Sequence, residues 1–300
     1  MSMCAFQERS LLDTLLSSKL PALSCARDAG MAVDDVLYLD GTYKLLSCIG
    51  RGSFGEVWRA EGPGCVEIAI KIVHGKLALN KAERELHALG LIRRLRHVYL
   101  LPLHAFWRLD DRLLIAMELS DGSLRDRHEE CRRLGQPGIP PAELLRYIAE
   151  AAEALDFLHE RRLLHRDIKP ENLLRLQGHV QVADFGLARV FEQSRRLVTT
   201  VGAGTPAYSP PEVLWQGKVG PFSDQYSLAA TYVQLRLCRA LFPGRNWNDL
   251  MQQHLLHVPD LNPLPAQEQQ VLLRALAKDT TQRFESCRQF ARALQQAVDM

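Results

Sequence analysis

The spacing of apolar and polar positions changes character along the chain, and the changes divide it. Residues 1–40 hold one short run, Leu11, Leu12, Leu15 and Leu16, at the spacing of an amphipathic helix that Pro21 would end. From Gly41 the pattern becomes strand-like. Strands are expected over residues 43–48, 56–60 and 67–73, the last with apolar neighbours framing a single Lys71. Residues 80–95 return to helical spacing through Leu86, Leu89, Ile92 and Leu95. Two further strands, 100–107 and 113–119, flank the turn-like pair Asp110-Asp111. The run Leu119-Ser120-Asp121-Gly122-Ser123 then breaks the pattern and reads as a hinge. Beyond a Pro/Gly loop at 135–141, residues 142–160 carry Leu144, Leu145, Ile148, Ala152, Leu155 and Leu158 at the spacing of a buried core helix. Leu173-Leu174 and residues 180–183 are short strands around Gln177-Gly178, and 268–298 reads as two or three helices with polar outer faces. The division this predicts is an extension (1–40), a small β-rich part with one main helix (41–118) and a larger, mostly helical part (119–300).

Composition narrows the class without naming an activity. At 47% hydrophobic and 24% charged residues, the chain has enough apolar surface for a folded core, which excludes a mainly disordered protein. A formal charge of +2 is too small to make nucleic acid the main partner. The seven cysteines are scattered and include no Cys-x-x-Cys pair, so reduced thiols in a cytoplasmic protein are expected rather than a disulfide scaffold or zinc site. His254 and His257 share a helical spacing but have no third ligand nearby. No run of 18 apolar residues predicts a membrane span, and no basic start followed by an apolar stretch predicts a signal peptide.

Several short runs carry chemistry. In His165-Arg166-Asp167-Ile168-Lys169-Pro170-Glu171-Asn172, Asp167 can take a proton from a hydroxyl, Lys169 can neutralise a phosphate, and Asn172 offers a neutral oxygen to a hard cation. Twelve residues beyond Asn172 stands a second carboxylate, in Asp184-Phe185-Gly186. Upstream, Gly50, Gly52 and Gly55 form a G-x-G-x-x-G run whose backbone can approach phosphate oxygens. Such a run also marks dinucleotide-binding turns, where a helix follows. Here the next segment is β-rich, so a hairpin folded over a nucleotide fits better. Taken singly, Lys71 reads equally well as a solvent-facing lysine on an edge strand, and Met117 as core packing.

Taken in order, these runs resemble the Ser/Thr protein kinase family, in its bacterial, eukaryote-like form. The resemblance spans nearly all of the chain but the preface. It implies an α+β, bilobal protein kinase fold with a small β-rich lobe, one main helix in that lobe, and a larger mostly helical lobe. It also implies ATP bound between the lobes, against Ile49, Gly50, Gly52, Gly55, Val57, Ala69, Met117, Glu118 and Leu119. Lys71, sixteen residues after Gly55, would grip phosphates while paired with Glu85, or alternatively Glu83. Asp184 and Asn172 would hold Mg2+, Asp167 would take the acceptor proton, Lys169 would steady the transferring phosphoryl group, and Thr205 would bond Asp167 and Lys169.

Further expectations come from the same likeness. Residues 187–209 would be an activation segment, autophosphorylated at Thr199 or Thr200 and less readily at Ser194, with Arg166, Arg195 and Arg196 available to meet the phosphate. Glu212 would pair with Arg283, and Asp224 would anchor the loop 165–172 from below. Pro210 stands where relatives more often have Ala, and Thr280 where they have Pro. The partner implied is a protein carrying Ser or Thr, and a homodimer is possible. Two rivals remain: a kinase-like binding module without activity, and a kinase of small molecules. The first is disfavoured because Lys71, Asp167, Asn172 and Asp184 are all present, the second by the complete glycine run and by Pro210-Pro211-Glu212.

Overall fold

The computed structural model describes residues 31–52, 55–73, 90, 93–109, 112–184, 206–216 and 219–299. Its strands are β1 (Val36–Tyr38), β2 (Thr42–Gly52), β3 (Gly55–Glu61), β4 (Glu67–Val73), β5 (Leu103–Leu109), β6 (Arg112–Met117) and β7 (Gly122–Ser123). Helices α1 (Leu124–Arg133) and α2 (Pro141–Glu160) follow, then β8 (Leu173–Leu176) and β9 (His179–Val182). The chain closes with α3 (Pro211–Gln216), α4 (Pro221–Leu237), α5 (Trp247–Leu256), α6 (Ala266–Ala275) and α7 (Cys287–Asp299). The architecture is the expected bilobal one, a β-rich small lobe and a helical large lobe.

The small lobe is an antiparallel sheet in the order β1-β2-β3-β4-β6-β5. Side chains alternate between its faces, so the register sorts them. Trp58, Ile70, Ile72, Leu114 and Ala116 fall on one face and are buried together with Leu37 and Leu45. Val57, Lys71, Ala69 and Met117 fall on the other, toward the large lobe. The sheet is curled enough that Tyr43 on β2 meets Trp107 on β5, ring centroids 5.2 Å apart, although three strands separate them in the sheet.

Two elements differ from the sequence-based expectation. Strand β1 precedes residue 41, and its Leu37 is buried in the outer core of the sheet; three residues are too few to announce a strand by period. The strand expected from residue 100 begins at Leu103. Leu100 forms a parallel bridge to Val182, and Leu101 N–H donates to Val182 O at 3.0 Å, so these residues belong to a tie between the lobes. The expected helix at 11–16 and most of the one at 80–95 lie outside the described residues.

The large lobe is built around α2, whose predicted core positions are all buried. Beside it, α4 is buried on every side and carries Ser223, Asp224, Gln225, Ser227 and Thr231 among its buried residues. That composition hides any apolar stripe. The expected pair forms: Arg283 meets Glu212 with two bonds, Nη2 to Oε2 at 2.8 Å and Nη1 to Oε1 at 2.9 Å, and also donates to Phe222 O and Ala277 O. A fork-to-fork contact of this kind fixes α3 onto the base of the lobe. Among the described residues no helix is long and apolar enough to cross a membrane.

Replacing Leu37 by Ala is expected to cost about 2–5 kcal/mol in denaturant unfolding, the range for a buried leucine. A change below about 0.5 kcal/mol, the usual effect at a surface position, would show that β1 is not part of the small-lobe core.

Candidate active site

The hairpin of β2 and β3 forms the roof. Gly52 pairs with Gly55 across its end; Ser53 and Phe54 lie outside the described residues. The three glycines have different reasons to be there. Gly55 has φ +151°, and a Cβ on it would stand 2.2 Å from Ile72 O, so only glycine fits. A Cβ at Gly52 would meet nothing within 4 Å, and one at Gly50 would make an ordinary 3.7 Å contact with Val57. Packing does not require glycine at those two positions, which leaves their backbone open to an incoming group.

Below the roof, Val57, Ala69, Met117 and Leu119 pack in one apolar group with Leu174 and Ala183 from the large lobe. These residues form an apolar lining contributed by both lobes, the candidate slot for a planar group. Ile49, expected with them, is half-exposed. Glu118 ties its N–H to Pro102 O and its carboxylate lies 3.1 Å from His104 Nε2, so its side chain faces the surface rather than the slot. Leu174 and Ala183 were not anticipated. The signal for Leu174 was available: Leu173 is buried in the large-lobe core, and strand alternation turns the next residue the other way.

Lys71 Nζ lies 2.5 Å from Asp184 Oδ2. The pair crosses between the lobes, with Lys71 on β4 and Asp184 just after β9. Glu85 and Glu83, the partners expected for Lys71, lie outside the described residues. Burial alone would raise the Asp184 carboxyl; the charge and hydrogen bond of Lys71, helped by His165 and Lys169, overcome this and hold it below its ordinary value. Asp184 also has φ +59°, a left-handed conformation uncommon outside glycine.

The loop 165–172 is held from beneath. Asp224, on α4, accepts His165 N–H at 2.9 Å and Arg166 N–H at 2.7 Å, and His159 Nε2 lies 2.8 Å from the same carboxylate. Burial would push the Asp224 carboxyl up, but the bond and charge of His159, the charge of His165 and the Arg166 N–H hold it down. Ala183 O can only accept, so His165 Nε2–H donates to it at 2.8 Å, while Asp167 N–H lies 3.3 Å from Nδ1. Arg166 has φ +70°, so the backbone turns sharply just before Asp167.

On this base the reactive groups converge. Lys169 Nζ is 2.8 Å from Asp167 Oδ2. Asn172 donates Nδ2–H to Asp167 O at 2.6 Å and to Asp167 Oδ2 at 3.1 Å, which leaves Oδ1 as its remaining donor atom for a cation. Ala183 N–H donates to Asn172 O at 2.9 Å, joining this loop to the residue before Asp184. Asp167, Lys169, Asn172, Asp184 and Lys71 therefore share one cleft under the glycine hairpin. Thr205 lies outside the described residues. An apolar slot, a backbone cradle, two cations, two carboxylates and a carboxamide suit a planar base carrying phosphates.

Residues 43–296 match the protein kinase domain family. The chain is 33% identical to the serine/threonine-protein kinase PknF of Mycobacterium tuberculosis over 277 residues, covering 84% of this chain and 55% of PknF. It is 33% identical to RqkA, a DNA damage-responsive serine/threonine-protein kinase of Deinococcus radiodurans, covering 83% of this chain and 38% of RqkA. Among solved structures, the kinase domain of Mycobacterium tuberculosis PknI superposes with a TM-score of 0.70 at 28% identity, over 89% of this chain and 100% of that one. The chain belongs to the protein kinase family, in the bacterial Ser/Thr branch. It spans about half the length of the curated PknF. The family works on ATP with divalent metal ions.

Gly55→Ala is expected to lower stability by about 1–3 kcal/mol, the scale of a strained backbone position, while Gly52→Ala changes it by less than about 0.5 kcal/mol. Equal effects would contradict the geometry of the hairpin. For the ion pair, the Asp184 carboxyl lies below the unfolded value of about 3.9. Its contribution is therefore complete above about pH 4 and is lost as pH falls through the depressed value. The stability difference between the parent and Lys71→Met should narrow below about pH 4 in unfolding curves taken from pH 6 to 3; a constant difference would deny the pair this role.

Proposed function

We propose that this chain is a protein Ser/Thr kinase that transfers the γ-phosphoryl group of ATP to Ser or Thr hydroxyls of a protein substrate. The observation that carries the reading is the convergence of Asp167, Lys169 and Asn172 with the Lys71–Asp184 pair in one cleft.

Phosphoryl transfer needs positioning and charge neutralisation more than covalent chemistry. The adenine would enter the slot of Val57, Ala69, Met117, Leu119, Leu174 and Ala183, and phosphates would lie against the open backbone at Gly50 and Gly52. Lys71 would exchange Asp184 for phosphate oxygens. Asp184, an anion by virtue of its surroundings, and Asn172 through Oδ1 form a hard-oxygen donor set of the kind Mg2+ takes. When bound there, the ion supplies positive charge to the phosphates. Asp167 would orient the acceptor hydroxyl and take its proton. Lys169, already on Asp167, would balance charge on the phosphoryl oxygens. The run Asp-Ile-Lys-Pro-Glu-Asn at 167–172 favours Ser/Thr over Tyr as acceptor.

Autophosphorylation at Thr199 or Thr200 within 187–209, with Arg166 as a partner for the phosphate, extends the reading. The free thiols of Cys48, Cys65, Cys131, Cys238 and Cys287 suit the reducing setting of a cytoplasmic domain.

The test is transfer of labelled γ-phosphate from Mg-ATP to the chain itself and to a generic basic protein. Asp167→Asn should lower transfer by about 10²–10⁴-fold, the usual worth of a positioned base, while leaving ATP binding in place. Lys71→Met should abolish transfer. A parent that binds ATP and transfers nothing, even after phosphorylation in 187–209, would make it a binding module. Mass spectrometry finding no phosphate between residues 187 and 209 after incubation with Mg-ATP would remove the autophosphorylation step.

A further inference from the structure

The described residues include four lysines, and their surroundings set one apart. Lys44 lies 2.8 Å from Asp34, Lys71 2.5 Å from Asp184 and Lys169 2.8 Å from Asp167. Lys278, in the segment after α6, meets no carboxylate among the described residues. Its Nζ donates to His254 O at 2.6 Å and lies 5.1 Å from the centroid of the Phe242 ring. The acid next to it in the chain, Asp279, is turned to Thr281, whose N–H and Oγ1–H it accepts at 2.9 and 2.8 Å.

His254 stands in the last turn of α5, so its carbonyl is one of the four that end a helix without an intrahelical donor. Lys278 supplies that donor from outside. The helix end and the ring face both favour a cation. The rest of the surroundings oppose one. The side chain is half-buried, and the charged group nearest in effect is the guanidinium of Arg283, which is itself spent on Glu212. His254 brings no charge. Its ring is buried, its Nδ1 meets Tyr226 OH at 2.8 Å, and burial with the charge of Lys278 pushes the imidazole down to about 3.

Desolvation without a counter-charge favours the neutral form of an amine. At Lys278 burial, helped by the charge of Arg283, brings the ammonium down to about 8. At pH 7.5 such an amine is neutral in roughly a quarter of molecules, against about one in a thousand for an ordinary lysine. Its lower basicity gives back part of that ratio. What remains is a lysine with a free lone pair near neutral pH, fixed by one hydrogen bond and reachable from the surface.

We infer that Lys278 is an acylation site, taking a small acyl group from an activated donor of the acyl phosphate class. The Nζ lone pair attacks the carbonyl carbon. A C–N bond forms, the C–O bond to phosphate breaks, and the amine proton leaves with the departing hydrogen phosphate. Nothing is oxidised or reduced. The product amide keeps one N–H for His254 O but carries no charge, so the end of α5 loses its cation. A half-buried amine admits a small acyl group more readily than a long one.

The test treats the folded parent chain with acetyl phosphate from pH 7 to 10 and reads acetylation at each lysine by peptide mass spectrometry. At pH 7.5 Lys278 should react at least fivefold faster than Lys44, whose bond to Asp34 raises its ammonium instead. The rate at Lys278 should level off by about pH 9, one unit above its titration, while that at Lys44 is still rising at pH 10. In urea the two lysines should react alike. Equal rates in the folded protein, or an advantage for Lys278 that survives unfolding, would overturn the site. No ATP is present, so the outcome is independent of the kinase reading.

Discussion

The carboxylate of Asp224 is 1% exposed and sits at the centre of the large lobe. Burying an ionised group costs several kcal/mol unless it is paired and hydrogen-bonded. Here three donors offset that cost, each charge-assisted and of the order of 1.5–3 kcal/mol, and two of them are backbone N–H groups of the loop. The charge is therefore stable only if the loop adopts its shape, and the loop keeps its left-handed residue only if the charge is there. That mutual dependence explains why a polar, partly exposed loop can hold Asp167 still. His165 then carries the order onward to Ala183, and so to the backbone before Asp184.

The two faces of the small-lobe sheet divide the work. One face is sealed into a core by Trp58, Ile70, Ile72, Leu114 and the β1 residue Leu37. The other leaves Val57, Ala69 and Met117 for the slot and places Lys71 among them. Core packing and the candidate site are thus assigned to alternate residues of the same strands. The site lysine can stay partly desolvated there because Asp184 meets its charge from the opposite lobe.

Most of the site was legible because its chemistry is concentrated in short contiguous runs. Residues 165–172 hold the groups proposed for the chemistry within one short loop, and Gly55 announces a backbone that only glycine can adopt. The pairing of Glu212 with Arg283 was legible from the family order, although 71 residues separate them. What escaped lies where a signal depends on the fold. Strand β1 is too short for periodicity. Helix α1 follows a capping box of Ser123 and Asp126, and Ser123 was read only as the end of the hinge run 119–123. Helix α4 is buried all round, so its polar residues mask the stripe that would have marked it. Alternation after Leu173 marks Leu174 as facing away from the large-lobe core, but that this face meets the small lobe depends on where β8 lies in the fold.

The bridge between Leu100 and Val182 has a mechanical consequence. The small lobe is fastened to the large one at the segment around Leu100 and again where the chain crosses near Asp121, whose N–H donates to Arg175 O. Two fixed points define a line. Among the described residues these two ties oppose swivelling and sliding of one lobe on the other more than rocking about the line between them, like a lid on two pins.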